Sequence, residues 1–113
     1  MKRKYLRFGS GFRIAISNRR AQAAEMVIPP GKAEGGPDNR HGGADQWLFV
    51  VAGTGYARVN RRRVVLRAGT LVLIERHDPH EIRNTGRGPL RTLTFYVPPA
   101  YTERGNETAR AKP

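Results

Sequence analysis

The stretch GTLVLIERHDPHEIRN, residues 69–84, contains two strand candidates on either side of a loop that carries a histidine. Thr70 to Ile74 is a compact apolar run of the length of a buried strand, and His80 to Asn84 is a short polar one. The chain has three histidines: His77 and His80 lie in this stretch, and His41 lies far upstream. Neutral imidazole is the commonest metal ligand in proteins, and strands distant in sequence can bring histidines together inside a barrel. The stretch therefore combines a predicted strand pair with candidate metal ligands.

Alternation of apolar and polar residues continues on both sides of this stretch. Thirteen glycines and eight prolines interrupt every window long enough for a helix, so about eight short strands and little helix are expected. This pattern predicts an all-β barrel or sandwich, and it does not choose between a jelly roll and an immunoglobulin-like sandwich. The segment from Pro29 to about Gly43 reads as a loop with a short extended piece. The other strand candidates are Phe12–Ile16, Ala24–Ile28, Gln46–Ala52, Tyr56–Val59, Arg63–Leu66 and Thr92–Val97, with Asn60-Arg61-Arg62 as a hairpin turn.

Length and composition limit the organisation of the chain. Its 113 residues suffice for one domain, 1–113, with a core over about residues 8–100 and a polar C-terminal tail over 101–113. The lack of cysteine excludes disulfides, thiolate metal sites and a cysteine nucleophile. The longest apolar run, Trp47 to Ala52, is far shorter than the roughly 20 residues of a membrane helix. Met1 to Arg7 has no apolar segment behind it, so a cytoplasmic protein without a membrane partner is expected.

The charge balance is strongly basic. Twenty-one Lys and Arg against nine Asp and Glu give a formal net charge of +12, which favours an acidic partner such as a nucleic acid. However, no basic helix with interleaved aromatic residues and no nucleic-acid-binding motif occurs. Several cations also fall in the predicted terminal segments or in the hairpin at Arg61 to Arg63. The sequence therefore disfavours a nucleic-acid partner and leaves a basic nucleic-acid-associated barrel as a third alternative.

The intervals in residues 69–84 resemble the second motif of the cupin superfamily, G-x5-P-x-G-x2-H-x3-N. Gly69, His80 and Asn84 match this motif, whereas Glu75 and His77 stand where it has Pro and Gly.

An upstream segment is similar to the first cupin motif, H-x-H-x3–4-E-x6-G. His41 and Gly53 match, while Asn39 stands at the first His and Gln46 at the Glu. The Gly53-Thr54-Gly55 corner and the separation of the two motifs are also cupin-like.

The resemblance implies a cupin-type jelly-roll β-barrel that holds one divalent metal ion, whether Mn, Fe, Ni, Zn or Cu. Carried over by position, the ligands are Asn39, His41, Gln46 and His80. This set contains no carboxylate, so we expect weaker binding and less preference for hard cations than a carboxylate-bearing site gives. Alternatively, the site is retired and its histidines hydrogen-bond to each other or to water. His77 is expected to be a solvent-facing loop residue, with a substitute ligand role as the other interpretation.

Function remains open between classes. A metal-dependent enzyme of isomerase or oxygenase type competes with a non-catalytic cupin that binds a small ligand or acts as a sensor. No catalytic residue can be named from the sequence, because one fold supports many chemistries. Asn84 is better explained by turn chemistry with Gly86 than by catalysis.

Strand parity predicts a subunit interface. If Gln46, Leu48 and Val50 face inward, then Trp47, Phe49 and Val51 face outward. Three large apolar side chains should not face water, so either the strand Phe12–Ile16 or a second subunit covers them. Cupins commonly dimerise through such a sheet face, and the resemblance therefore favours a homodimer.

Overall fold

The computed structural model describes residues 1–36 and 43–102, and these residues form nine β-strands and no helix. Consequently, no helix in these ranges is long and apolar enough to cross a bilayer. The all-β prediction is confirmed, and the additional strand is the short extended piece expected in the loop after Pro29. The strands are β1 (Gly11–Ser17), β2 (Gln22–Ile28), β3 (Ala33–Gly36), β4 (Asp45–Ala52), β5 (Gly55–Val59), β6 (Arg62–Leu66), β7 (Leu71–Ile74), β8 (His80–Asn84) and β9 (Leu90–Val97).

Two antiparallel sheets enclose the core. The five-stranded sheet has the order β1-β2-β9-β4-β7 and the four-stranded sheet the order β3-β8-β5-β6. On β4 the predicted parity holds, because Leu48 and Val50 are fully buried while Trp47 and Phe49 are exposed. Alternating side chains thus fill the space between the sheets. The main core cluster comprises Met26, Ile28, Leu48, Val50, Ala57, Leu66, Ile74, Ile82 and Leu90.

The β5–β6 hairpin has a two-residue turn, one residue shorter than predicted. Val59 pairs with Arg62, so Arg62 already belongs to β6. Asn60 and Arg61 have φ values of 50° and 67°. Two successive left-handed residues are typical of the type I′ turn, whose twist matches that of the flanking strands.

Asn84 has the turn role predicted for it. Its Oδ1 accepts a hydrogen bond of 2.8 Å from the Gly86 amide, and its Nδ2 donates bonds of 2.8 Å to the carbonyls of Ile28 and Gly88. The side chain is buried and satisfies three backbone groups at once. It therefore ties the ends of β2 and β8 to the turn before β9.

The segment that precedes β8 keeps an unusual backbone at His77. This residue has a φ of 72°, in the left-handed region that favours glycine, and the cupin motif has glycine at this position. Two hydrogen bonds close this turn. The Asp78 amide donates to the Glu75 carbonyl at 3.0 Å, and the Glu75 amide donates to the Asp78 carboxylate at 3.1 Å. The main chain thus adopts at His77 a conformation that favours glycine, although the residue is not glycine.

The outward side chains of β4 are not covered by β1. β1 pairs with β2 at the edge of the same sheet, and β2 and β9 separate it from β4. Trp47, Phe49 and Val51 remain 40%, 37% and 38% exposed, so the expectation of a cover by the strand Phe12–Ile16 is wrong. Other exposed apolar side chains of β7 and β9 adjoin them. We call this group the outer apolar face: Trp47, Phe49, Val51, Leu71, Leu73, Phe95 and Val97.

Candidate functional site

A cavity of about 250 Å³ lies between the two sheets. Its lining combines polar and aromatic side chains from both sheets with residues of the core. The described lining residues are Phe12, Met26, Glu34, Gly35, Gln46, His80, Ile82, Tyr96 and Tyr101.

Gln46 supplies a buried polar group to this cavity. It is 2% exposed, and its Nε2 donates to Thr94 Oγ1 at 3.0 Å. Its Oε1 is buried and has no hydrogen-bond partner among the described residues. A buried acceptor without a partner costs about 1–3 kcal/mol, and such groups require an explanation in a native structure. Among the described residues, this amide oxygen is therefore an acceptor in the cavity with free hydrogen-bonding capacity.

His80 lines the same cavity from the start of β8. It is 4% exposed, and its Nδ1 lies 3.0 Å from the Asp78 carbonyl oxygen. Since a carbonyl can only accept, Nδ1 carries the proton in the neutral ring and the lone pair is on Nε2. Burial lowers the pKa of His80 below 6.5, although the Asp78 backbone and carboxylate oppose this effect. The ring is thus neutral near pH 7, which is the form that binds metal ions, and its orientation resembles that of metal-bound histidines.

The structure brings two of the four predicted metal ligands together. Gln46 and His80 line one cavity from opposite sheets, as the motifs imply. Asn39 and His41 lie outside the described residues. His77 is exposed in the loop between β7 and β8 and is not among the described lining residues. In residues 1–36 and 43–102, no group of three His, Cys, Asp or Glu is placed to hold a metal.

An aromatic wall, which the motifs did not predict, forms another side of the cavity. It consists of Phe12, Tyr96 and Tyr101, with ring centroids 4.8 Å (Phe12–Tyr101), 5.0 Å (Tyr96–Tyr101) and 6.4 Å (Phe12–Tyr96) apart. Burial, together with Tyr101, raises the pKa of Tyr96 well above 10, so its hydroxyl stays protonated. The alternation along β9 could have placed Tyr96 inside. No sequence signal indicated that Tyr101 lines the cavity, and it was expected to lie in the polar C-terminal tail, 101–113.

Gln22 fixes Tyr101 in this wall. Gln22 is buried at the start of β2, and its Oε1 accepts bonds from the Ala100 and Tyr101 amides at 3.2 and 3.0 Å. Its Nε2 donates to the Tyr101 carbonyl at 2.7 Å. Three hydrogen bonds from one buried side chain thus hold the main chain that follows β9 against the barrel.

Glu34 brings a carboxylate to the cavity. It lies on β3 opposite Ile82, whose side chain is in the core, so strand geometry directs Glu34 to the inner side of the sheet. Its charge is one of the smaller causes that raise the pKa of Tyr96, which is consistent with a position near that hydroxyl.

Several of the arginines lie on the outer side of the four-stranded sheet, away from the cavity. The Arg63 guanidinium is 3.8 Å from the centre of the Tyr56 ring, and Arg58 is 6.0 Å from it. The Tyr56 hydroxyl donates to Glu81 at 3.3 Å, and Arg83 is 3.7 Å from Glu81. These groups hold one another on the outer face and do not reach the cavity.

Comparison with known proteins agrees with this geometry. The family model described as a cupin domain matches residues 24–96. A protein of Thermotoga maritima named oxalate-binding protein is 28% identical over 83 residues, which cover 74% of this chain and 67% of that protein.

Solved structures of similar fold extend the comparison. A predicted oxalate decarboxylase from Thermotoga maritima has a TM-score of 0.70 and 25% identity, with 78% of this chain and 79% of that chain covered. A Thermus thermophilus protein has a TM-score of 0.71 and 21% identity, with 85% and 90% covered. KdgF from Halomonas has a TM-score of 0.71 and 18% identity, with 78% and 77% covered. At such identities, the last two likenesses show the fold alone.

Proposed function

Because this chain belongs to the cupin family, whose domain spans residues 24–96, we propose that it binds a small molecule at a divalent metal ion in the barrel cavity. His80 and Gln46 would hold the ion, and the motif resemblance adds His41 and Asn39 as further ligands. The Oε1 of Gln46, which is buried in the cavity that His80 also lines and has no partner in residues 1–36 and 43–102, is the observation that carries the proposal. A neutral imidazole and an amide oxygen are both chemically suited to coordinate a divalent ion.

Each residue has a defined part in this proposal. The Asp78 carbonyl accepts a hydrogen bond from Nδ1 and orients the His80 ring, so that Nε2 would be the ligand atom for the ion. Thr94 holds the Gln46 amide by Nε2, which leaves Oε1 as the second donor. An ion bound there would act as a Lewis acid that polarises an oxygen of the bound molecule. The reaction, of isomerase or oxygenase type, is not assigned, and oxalate is the first ligand to test because a relative is named for binding it.

The alternative function is a non-catalytic cupin in which the cavity binds an organic ligand without a metal. The aromatic wall favours it, because three packed rings provide the apolar surface that a small organic molecule requires. In that case the Gln46 Oε1 accepts a hydrogen bond from the ligand itself.

Calorimetric titration of the chelator-stripped protein with Mn²⁺, Zn²⁺ and Cu²⁺ tests the metal proposal. We expect His80→Ala to remove most of the binding, because it deletes the imidazole ligand. Gln46→Glu should tighten binding, more for Mn²⁺ than for Cu²⁺, because it adds the carboxylate that hard cations prefer.

His77→Ala is the matched control, since it removes an exposed imidazole three residues from His80. It should leave the affinity unchanged. Loss of binding in this variant together with retention in His80→Ala would show that the wrong histidine is assigned. Absence of binding in both the wild type and Gln46→Glu would leave the metal-free alternative.

We also propose that the protein is a homodimer paired through the outer apolar face. Its seven side chains lie on three neighbouring strands, and cross-strand pairing places Trp47 between Leu73 and Phe95. The face carries large uncharged groups from adjacent strands, so a second copy can present the same apolar surface to it. The largest exposed apolar patches on soluble proteins commonly mark such interaction sites.

A further inference from the structure

The described part of the cavity lining is rich in electron-donating groups. It presents the Glu34 carboxylate, the unpartnered Gln46 Oε1 and the three rings of the aromatic wall. Among the described lining residues there is no Lys or Arg, although the chain as a whole carries a net charge of +12. The polarity of this described part of the lining is therefore opposite to the net charge of the chain.

Glu34 contributes a charge that no described residue neutralises. In residues 1–36 and 43–102, no Lys, Arg or His pairs with its carboxylate, and no hydrogen bond to it is formed. On the neighbouring strand β8, Glu81 shows the contrast, because it faces the outer side of the sheet and contacts both Arg83 and Tyr56. Glu34 lines the cavity and is also exposed to solvent, so its charge is available to a ligand that enters the cavity.

The aromatic wall offers preorganised ring faces near this charge. Gln22 fixes the main chain at Tyr101, and Tyr96 is buried and keeps its proton. The face of an aromatic ring is electron-rich and attracts a cation, and the attraction increases when water is excluded. A carboxylate beside such rings is an arrangement suited to an organic ammonium group.

We infer that the organic ligand of this cavity carries an alkylammonium group, bound between the Glu34 carboxylate and the rings of Tyr96 and Tyr101. The inference rests on the proposed function only in that a small molecule occupies the cavity. It does not require a metal ion. A ligand whose only charged groups are carboxylates would instead be repelled by the negative charge of Glu34.

A pair of probes that differ only in charge tests the inference. Choline and its neutral isostere 3,3-dimethyl-1-butanol have nearly the same shape, so a difference in affinity reports the positive charge. Titration is followed by calorimetry and by amide chemical shifts, with both the chelator-stripped and the metal-loaded protein. We expect choline to bind about tenfold more tightly than the isostere, since a cation–π contact and an ion pair act together.

Two single substitutions locate the binding site. Glu34→Gln should weaken choline binding about threefold and leave the isostere unaffected, because it removes the charge of an exposed ion pair and keeps the shape and the ring contact. Glu81→Gln, which removes the same charge on the adjacent strand but on the outer side of the sheet, should change neither affinity. Tyr101→Phe should keep the binding, because the ring face remains.

Equal affinity for the two probes, absence of choline binding, or equal effects of Glu34→Gln and Glu81→Gln would each overturn the inference. If choline fails while a metal ion or oxalate binds, the proposed function stands and only the ligand class is wrong. If no probe and no metal ion binds, both fail.

Discussion

Replacement of Asn84 by aspartate should severely destabilise the fold, although the two side chains have nearly the same shape. Nδ2 of Asn84 donates to the carbonyl of Ile28, in a buried bond, and to the carbonyl of Gly88, in a partly buried one, each at 2.8 Å. In Asn84→Asp an oxygen takes the place of Nδ2 and faces both carbonyl oxygens at hydrogen-bond distance. The bond from the Gly86 amide to Oδ1 is retained, so only the donor half of the side chain changes.

The expected cost follows from these contacts. Two hydrogen bonds are lost, each worth about 1 kcal/mol, and the carbonyls left without a donor add a desolvation penalty of about 1–3 kcal/mol. The side chain is only 1% exposed, so a carboxylate there is also poorly solvated. We therefore expect a loss of at least ~3 kcal/mol at pH 7, a large fraction of the ~5–15 kcal/mol that stabilises a typical domain.

The loss should depend on pH with a definite sign. The fold disfavours the ionised carboxyl, so its pKa is higher in the folded than in the unfolded state. The full penalty applies above the folded-state pKa and decreases as the pH falls through it, since a protonated carboxyl can donate to one of the two carbonyls.

Urea unfolding of wild type and variant at pH 7 and pH 5, followed by tryptophan fluorescence, measures the difference. Asn18→Asp is the control, because Asn18 is exposed and uses only its Oδ1, which accepts bonds from the Arg20 and Ala21 amides. An aspartate can accept the same two bonds, so this variant should be within about 0.5 kcal/mol of wild type. A similarly small effect of Asn84→Asp at pH 7 would refute the reasoning.

Two further substitutions test the outer face and the loop before β8. Phe49→Glu should give a folded monomer in sedimentation equilibrium, because Phe49 is 37% exposed in the single chain and a ~200 Å² aromatic side chain at that exposure adds about 2 kcal/mol per copy on burial. A dimeric Phe49→Glu protein, or a monomeric wild type at micromolar concentration, would contradict the proposed interface. His77→Gly should raise the free energy of unfolding by about 0.5–1 kcal/mol, since relief of ~1–2 kcal/mol of left-handed strain exceeds the ~0.4–1 kcal/mol of added chain entropy. His77→Ala, which keeps the strain, should show no such gain; a gain shared by both variants would mean that backbone strain is not its source.

Features of the fold that have a local signal in the sequence were predictable. The alternation of apolar and polar residues predicted the long strands β4 and β9. The short interval between Asn84 and Gly86 predicted the turn that Asn84 stabilises. Motif spacing also placed Gln46 and His80 in one cavity. These features depend on neighbouring residues or on a motif that encodes the fold.

The features that were missed, or predicted only in outline, depend on contacts between distant parts of the chain. β3, with the sequence AEGG, has no apolar alternation, so it was predicted only as a short extended piece of a loop, and it is held by backbone pairing with β8. Tyr101 is fixed by Gln22, which lies 79 residues earlier in the chain. The segment before β1 contacts Glu25, because the Phe8 amide donates a hydrogen bond of 2.7 Å to the Glu25 carboxylate. Neither this contact nor the inward position of Glu34 has a local signal in the sequence. Such residues can be found only when the pairing of the strands is known.

The position of negative charge in the cavity connects the two proposals. The cupin motif has a carboxylate at the position of Gln46, whereas this chain has a neutral amide there and a carboxylate at Glu34 on the opposite sheet. A divalent ion at His80 and Gln46 would therefore be held by neutral donors, and its charge would not be compensated by those two ligands. The carboxylate instead lies beside the aromatic wall, where it favours a positive group on the ligand. The substitution at position 46 thus predicts weaker metal binding, and the presence of Glu34 predicts a cationic ligand, so the Gln46→Glu and Glu34→Gln variants separate the two effects.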